Sequence, residues 1–329
     1  MDQIRWGILG CGRIARKFAS DLSLVKDARL TAVGARQLDT AREFSKEFPA
    51  QYVHGSYREL VSNPEVDVIY IASPHALHHE HTLLCLDHGK AVLCEKAFAL
   101  NQRQVQEMVD ASTRNRVFLM EAVWSKFLPQ YQKMQELIAG GALGEIKNIR
   151  VDFGFIPQEP IPPRLFDPAL GGGSLLDIGI YNVFLVVSIL GRPDIIEASM
   201  TPSKEGVDEQ CAALFKYKNG AMAQLFSSLS CNLGTDADIS GTKCRMRLTA
   251  RFYAPSATIE LFSGREDSRQ VIPVAKEGGS GYQHEARHVG DCLRKRLIES
   301  PVMSHADSLL IMETMDRIRA AAGIRYSVD

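Results

Sequence analysis

Two short stretches of this 329-residue chain carry side chains able to move a proton. Glu95-Lys96 follows the apolar run 91–94, which reads as a strand. In open α/β sheets ligands bind outside the carboxyl ends of strands, so a lysine there is placed for chemistry. An ion-paired surface Glu-Lys is the plainer alternative. The second stretch is Gly171-Gly172-Gly173-Ser174-Leu175-Leu176-Asp177-Ile178-Gly179-Ile180-Tyr181. Three glycines allow the backbone to approach something closely, and a helix is expected directly after them. Asp177 and Tyr181, four apart, project from one helical face. Leu175, Ile178 and the run 183–190 supply apolar packing around them. Taken alone, Tyr181 also reads as a core tyrosine of an amphipathic helix.

A third motif lies near the start, Gly10-Cys11-Gly12-Arg13-Ile14-Ala15. It follows an apolar run and opens a segment with helical spacing, Ile14, Phe18 and Leu22. G-x-G-x-x-A between a strand and a helix is the arrangement a nucleotide pyrophosphate needs. The first glycine permits the tight turn, and the second lets the backbone near the phosphates. The small Ala15 lets helix and strand pack closely, while the helix start aims free N–H groups at the anion. The next strand ends Val33-Gly34-Ala35-Arg36, with no acid until Asp39. An acid at that point would accept from a ribose 2′-hydroxyl, and an arginine favours a 2′-phosphate. Arg36 stands 26 positions past Gly10, so NADP is favoured, with NAD possible. The alternative for Arg36 is a solvated loop cation. Arg13 could add to the adenine side or be an exposed helix residue.

The elements that must position these groups alternate through the first third. Strands are expected at Ile4–Leu9, 30–35, 66–73, 91–94 and 116–120, with helices between them and a short strand at 52–53. Such alternation implies a doubly wound parallel sheet. Beyond a helix at Pro129–Ala139 the pattern changes to longer alternating strands at 146–155, 195–201, 209–217, 221–230, 245–250 and 258–261. Asn219-Gly220 is a hairpin signal, and helices are expected near 174–190 and 304–321. The fold class is therefore α/β: an N-terminal Rossmann-type parallel sheet over 1–122, then an α+β domain with a largely antiparallel sheet over 123–329.

A net charge of −1 gives no electrostatic case for nucleic acid or an anionic membrane. No apolar run is expected to reach the roughly 18 to 20 residues that span a bilayer. No signal peptide is evident, and seven scattered cysteines without C-x-x-C spacing point to a reducing cytoplasm. The densest histidine cluster, His75, His78, His79 and His81, lacks a clear third ligand at metal spacing, so no metal is expected.

The three motifs, in this order and spacing, resemble the Gfo/Idh/MocA oxidoreductase family over almost the whole chain. The resemblance implies that Lys96 lies by the nicotinamide and that Asp177 and the proton-handling Tyr181 serve the substrate. Tyrosine where histidine is commoner resembles the subgroup of dihydrodiol and NADP-dependent D-xylose dehydrogenases, as does Met120-Glu121-Ala122-Val123-Trp124-Ser125-Lys126-Phe127-Leu128-Pro129. There an aromatic reaches nicotinamide and substrate, a role Trp124 would inherit; a buried junction tryptophan is the alternative. Glu95, Ser73 and Pro74 would line the cofactor pocket, with His78 capping or packing beside it. His75 stands where the family usually has Asn, and Ala97 where it has Pro after the lysine. Arg164 could contact substrate or be merely solvated.

The implied activity is NADP-linked hydride transfer at a secondary alcohol or hemiacetal of a sugar or cyclic trans-diol. In it Tyr181 moves the hydroxyl proton, and a lysine cation lowers the phenol's ordinary pKa of about 10. Alternatives are an NADPH-dependent reductase of an anhydro-sugar or osone, or a sensor without turnover. A sensor has no need of both Lys96 and Tyr181. The family also implies a homodimer.

Overall fold

Short β-branched, apolar runs become parallel strands when both faces are covered, and the first third of the chain does this. The computed structural model describes residues 3–264, 268–326 and 328–329. Its first sheet is built from β1 (Ile4–Leu9), β2 (Ala28–Gly34), β3 (Tyr52–His54), β4 (Val68–Ile71), β5 (Ala91–Glu95) and β6 (Leu119–Ala122). Between them run α1 (Arg13–Leu22), α2 (Leu38–Glu47), α3 (Tyr57–Ser62), α4 (His78–Asp87) and α5 (Gln102–Asn115). The order β3-β2-β1-β4-β5-β6 is parallel throughout. It reverses direction between β1 and β4, so the crevice outside their carboxyl ends is the switch point where this architecture binds ligands. Trp6, Phe18 and Tyr70 fill the layer beneath α1, with Phe18 stacked on Tyr70 at 3.7 Å.

After α6 (Pro129–Ala139) comes an eight-stranded sheet. Its strands are β7 (Ile146–Gly154), β8 (Ile195–Pro202), β9 (Asp208–Lys216), β10 (Met222–Ser228), β11 (Ala237–Gly241), β12 (Cys244–Thr249), β13 (Thr258–Ser263) and β14 (Arg269–Ile272). The order is β14-β13-β12-β11-β7-β10-β9-β8, and every pair is antiparallel except β7 with β10. The expected largely antiparallel sheet is thus present, with β11 and β14 added to the strands read from sequence. A π-helical turn, Leu175–Gly179, leads into α7 (Ile180–Leu190). Within the stretch Pro168–Leu190 an 18-residue window has a mean hydropathy of 1.9, and the stretch is long and apolar enough to cross a membrane, contrary to the sequence expectation. Its apolar character has a local use, since 83% of that window is buried inside the protein.

The chain closes with α8 (Tyr282–Arg294) and α9 (His305–Ala322). Contacts divide it into two units: Met1–Phe127 with Glu277–Leu309, and Leu128–Lys276 with Leu310–Asp329. The expectation that 123–329 forms one domain therefore needs correction for 277–309. The reason is a cap supplied from far away in sequence. Gly281, the residue before α8, has no side chain to cap the helix. The Asp21 carboxylate on α1 instead accepts the N–H groups of Ser280 and Tyr282 at 2.9 Å. Arg294 pairs with Asp27, and Leu119 of β6 donates to the Ile298 carbonyl at 3.0 Å.

Candidate functional site

In the first unit the glycine turn is shaped for an anion. Gly10 has φ +94°, and a Cβ there would sit 3.2 Å from the Ala72 backbone, so both conformation and space demand glycine. Around Gly12, by contrast, a Cβ would meet nothing within 4 Å. The start of α1 has no side-chain cap and no acid in its first turn, which leaves its N–H groups for a ligand. Ala15 is fully buried, Ile14 half-buried and Arg13 exposed. An open cradle at a helix N-terminus fits the pyrophosphate of a dinucleotide. Arg36, exposed just past β2, places its charge against Tyr57 and His81. Burial, and then Arg36, lowers His81 to about 4.

Ser73, after β4, meets His81 Nδ1 through its hydroxyl at 2.9 Å and His78 Nε2 through its carbonyl at 2.7 Å. The other ring nitrogen of His78 lies 2.8 Å from the Ala97 carbonyl. Burial pushes His78 to about 4, so near neutrality the ring carries one N–H and donates to one of the two carbonyls at a time. His78 therefore lies between the turn after β4 and the turn after β5, with a carbonyl of each within hydrogen-bond distance of its ring. Pro74, next to Ser73, is half-buried.

Lys96, half-buried, follows β5 directly. Glu95 is turned inward, where its carboxylate accepts from the Tyr70 hydroxyl. Glu121 on β6 accepts the Phe98 N–H at 3.1 Å, a contact that sequence reasoning missed. Its signal was an acid at the end of an otherwise apolar strand. Trp124 is 6% exposed and stacks on Tyr282 at 4.7 Å and 8°.

In the second unit Asp177 is 7% exposed and accepts from Arg164 Nη1 at 2.7 Å. Arg164 thus belongs with the aspartate, an outcome the sequence left open. Tyr181, also 7% exposed, lies in an aromatic group. Its ring is 4.6 Å from Tyr253 and 6.0 Å from Phe153, and Phe153 stacks on Tyr253 at 4.5 Å. Tyr253 was not singled out from sequence, because it sits in an irregular stretch between β12 and β13.

The close approach promised by the triple glycine is to the protein itself. A Cβ on Gly172 would lie 2.9 Å from the Leu165 carbonyl, and one on Gly173 would collide with the Asp208 carboxylate. Asp208, fully buried on β9, accepts the Ser174 hydroxyl at 2.8 Å and the Leu175 N–H at 2.6 Å. Burial pushes its carboxyl up to about 6. Tyr326 adds a hydrogen bond to the Gly172 carbonyl at 3.2 Å. Asp208 therefore fixes the start of the π turn on which Asp177 stands.

Comparison with known proteins agrees with this geometry. Residues 4–123 match the model for the Gfo/Idh/MocA oxidoreductase family with an NAD-binding Rossmann fold, and 131–247 match its C-terminal domain. The chain is 38% identical to trans-1,2-dihydrobenzene-1,2-diol dehydrogenase of Mus musculus, covering 99% of both chains. It is 36% identical to that of Xenopus tropicalis, covering 98% of this chain and 99% of the other. Among solved structures, a 3-ketoreductase from Actinomadura kijaniata in complex with NADP and TDP-benzene is 25% identical, with a TM-score of 0.88 over 97% of this chain and 98% of that one. An aldose-aldose oxidoreductase from Caulobacter crescentus shares the fold, at 22% identity and a TM-score of 0.89 over 98% of each chain. The chain therefore belongs to the Gfo/Idh/MocA family of oxidoreductases.

Proposed function

We propose that this protein is an NADP-dependent oxidoreductase that transfers a hydride between nicotinamide and a CH–OH carbon of a cyclic trans-diol or sugar. The observation that carries the reading is the setting of Tyr181: a phenol in an aromatic group, on the same helical stretch as an aspartate held by arginine. Aromatic faces suit the apolar face of a ring, and an oriented carboxylate suits its hydroxyls. The full-length relatives named as dihydrodiol dehydrogenases support the same substrate class.

Gly10, Gly12, Ile14 and Ala15 would hold the pyrophosphate, Arg36 and Arg13 the adenosine end, and Ser73, Pro74, His78, Glu95, Lys96 and Trp124 the nicotinamide end. When bound, the nicotinamide would supply the hydride acceptor or donor. Tyr181 takes the substrate hydroxyl proton as the C–H hydride leaves and returns it in carbonyl reduction. Asp177, fixed by Arg164, accepts from a substrate hydroxyl, and the Lys96 cation stabilises negative charge on the reacting oxygen.

Further parts of this reading are a homodimer in the cytoplasm. Exposed Ile195 and Met222 on the eight-stranded sheet and seven free cysteines support it. Sedimentation at micromolar protein as a monomer would remove the dimer.

The test follows reduced-nicotinamide absorbance with NADP or NAD and a panel of trans-cyclohexane-1,2-diol, D-xylose, D-glucose and myo-inositol, beside Tyr181→Phe. NADP-linked turnover of a panel member is expected, falling at least about a hundredfold in the variant, as loss of general acid–base help implies. Near-normal turnover by Tyr181→Phe removes the proton-transfer assignment.

A further inference from the structure

We propose that Glu121 is a positioning residue for Lys96, clamping the one peptide group that joins Ala97 to Phe98 in the turn carrying the lysine. The inference rests on the reading of Lys96 given above. Glu121 pairs with Cys94 across β5 and β6, and it is 2% exposed. From there its carboxylate accepts the Phe98 N–H at 3.1 Å. The carbonyl of the same peptide group, that of Ala97, is 2.8 Å from His78 Nδ1. Both polar atoms of one peptide plane are therefore engaged by side chains from opposite sides, β6 and α4. Where the family has a proline, whose ring restricts the backbone, this chain has Ala97. Alanine leaves that backbone free to turn, so the Glu121 hydrogen bond holds it, joined by His78 when its Nδ1 carries the proton.

A purely structural acceptor could be a glutamine. The surroundings of Glu121 point to a carboxylate that also answers the lysine. Facing it are Glu95 and Lys96 at the end of β5 and Ser308 on α9, which gives its second hydrogen bond. His305, also on α9, is turned to the Leu119 carbonyl at 3.0 Å and held toward neutrality by burial. Across the turn His78 is neutral near pH 7, being pushed to about 4. Burial raises the Glu121 carboxyl to about 7, against the opposing pull of Ser308, the Phe98 N–H and Lys96. The charge beside Lys96 therefore changes within the working pH range.

The experiment compares Glu121→Gln, Glu121→Ala and Lys96→Ala in the full chain. It measures turnover of trans-cyclohexane-1,2-diol with NADP from pH 5.5 to 9, and amide hydrogen exchange of the segment containing Phe98. Glu121→Ala is expected to lower kcat about tenfold to a hundredfold, as misplacing Lys96 by a fraction of an ångström to an ångström implies, and to speed exchange at Phe98. Its KM for NADP should stay within about threefold, because the cradle at Gly10 and Gly12 is untouched. Glu121→Gln, which keeps the shape and an acceptor, should retain slow exchange while losing the ionisation near 7 from the kcat/KM profile. Unchanged kcat and exchange in Glu121→Ala, or an unchanged pH profile in Glu121→Gln, overturns the proposal. Should Glu121→Ala fail to fold, the glutamine profile decides alone. Loss of turnover in Lys96→Ala beside full turnover in Glu121→Ala condemns Glu121 only, and full turnover in Lys96→Ala removes the lysine reading itself.

Discussion

Replacing Gly173 by alanine tests whether the glycine turn is built around Asp208. Gly173 sits at φ +116°, beyond the left-handed region that an L residue tolerates. Backbone strain of that kind costs about 1–3 kcal/mol. The added Cβ also collides with the Asp208 carboxylate, whose other oxygen accepts the Leu175 N–H and the Ser174 hydroxyl. Displacing it leaves a buried N–H without a partner, which costs about another 1–3 kcal/mol. The sum, about 2–6 kcal/mol, is a large part of the 5–15 kcal/mol typical of folded domains. Urea unfolding of Gly173→Ala, with and without Asp208→Ala, separates the two contributions. In the Asp208→Ala background the collision is gone, so the glycine substitution should cost only the strain. Equal cost in both backgrounds would refute the collision. A cost under about 1 kcal/mol in the wild-type background would refute the conformational argument too.

Two further outcomes follow from charges. Asp208 is raised to about 6 in the folded state, above its unfolded value of about 3.9. The folded state therefore holds the extra proton between those values. The stability this contributes, about 3 kcal/mol, is present below pH 4 and lost as pH rises through about 6. The stability difference between wild type and Asp208→Asn should change by that amount between pH 4 and 7.5, and a pH-independent difference would contradict it. Arg36→Ala should raise the KM for NADP about tenfold to a hundredfold, the loss of one charge-assisted contact, and leave NAD unchanged. Equal effects on both dinucleotides would remove Arg36 from the 2′-phosphate.

Much of the first unit could be read from the chain because its determinants are local. Gly10, Gly12 and Ala15 are fixed by what one turn requires of its own residues, and the strands 66–73 and 91–94 announce burial in their β-branched, apolar runs. The alternation of strand and helix then leaves a parallel sheet as the simplest arrangement. Lys96, Asp177 and Tyr181 could be named only through the family resemblance of three motifs, because alone Glu95-Lys96 also reads as a surface ion pair and Tyr181 as a core tyrosine. Their surroundings could not. Arg164 gives no sign in sequence that it will meet Asp177, and nothing local in Asp208 says that it fills the space vacated by Gly173. The helix α8 joins the first unit because Asp21, some 260 residues earlier, supplies the cap that Gly281 lacks. The parallel pairing of β7 with β10 is likewise invisible to periodicity, which assigns a residue to a face but not a strand to its neighbour. Sequence alone determined the parallel and antiparallel sheets and the glycine turn, and through the family resemblance it named candidates for proton transfer. Tertiary structure decided which acids are buried, paired or left to titrate, because desolvation and hydrogen bonding depend on groups brought from elsewhere in the chain.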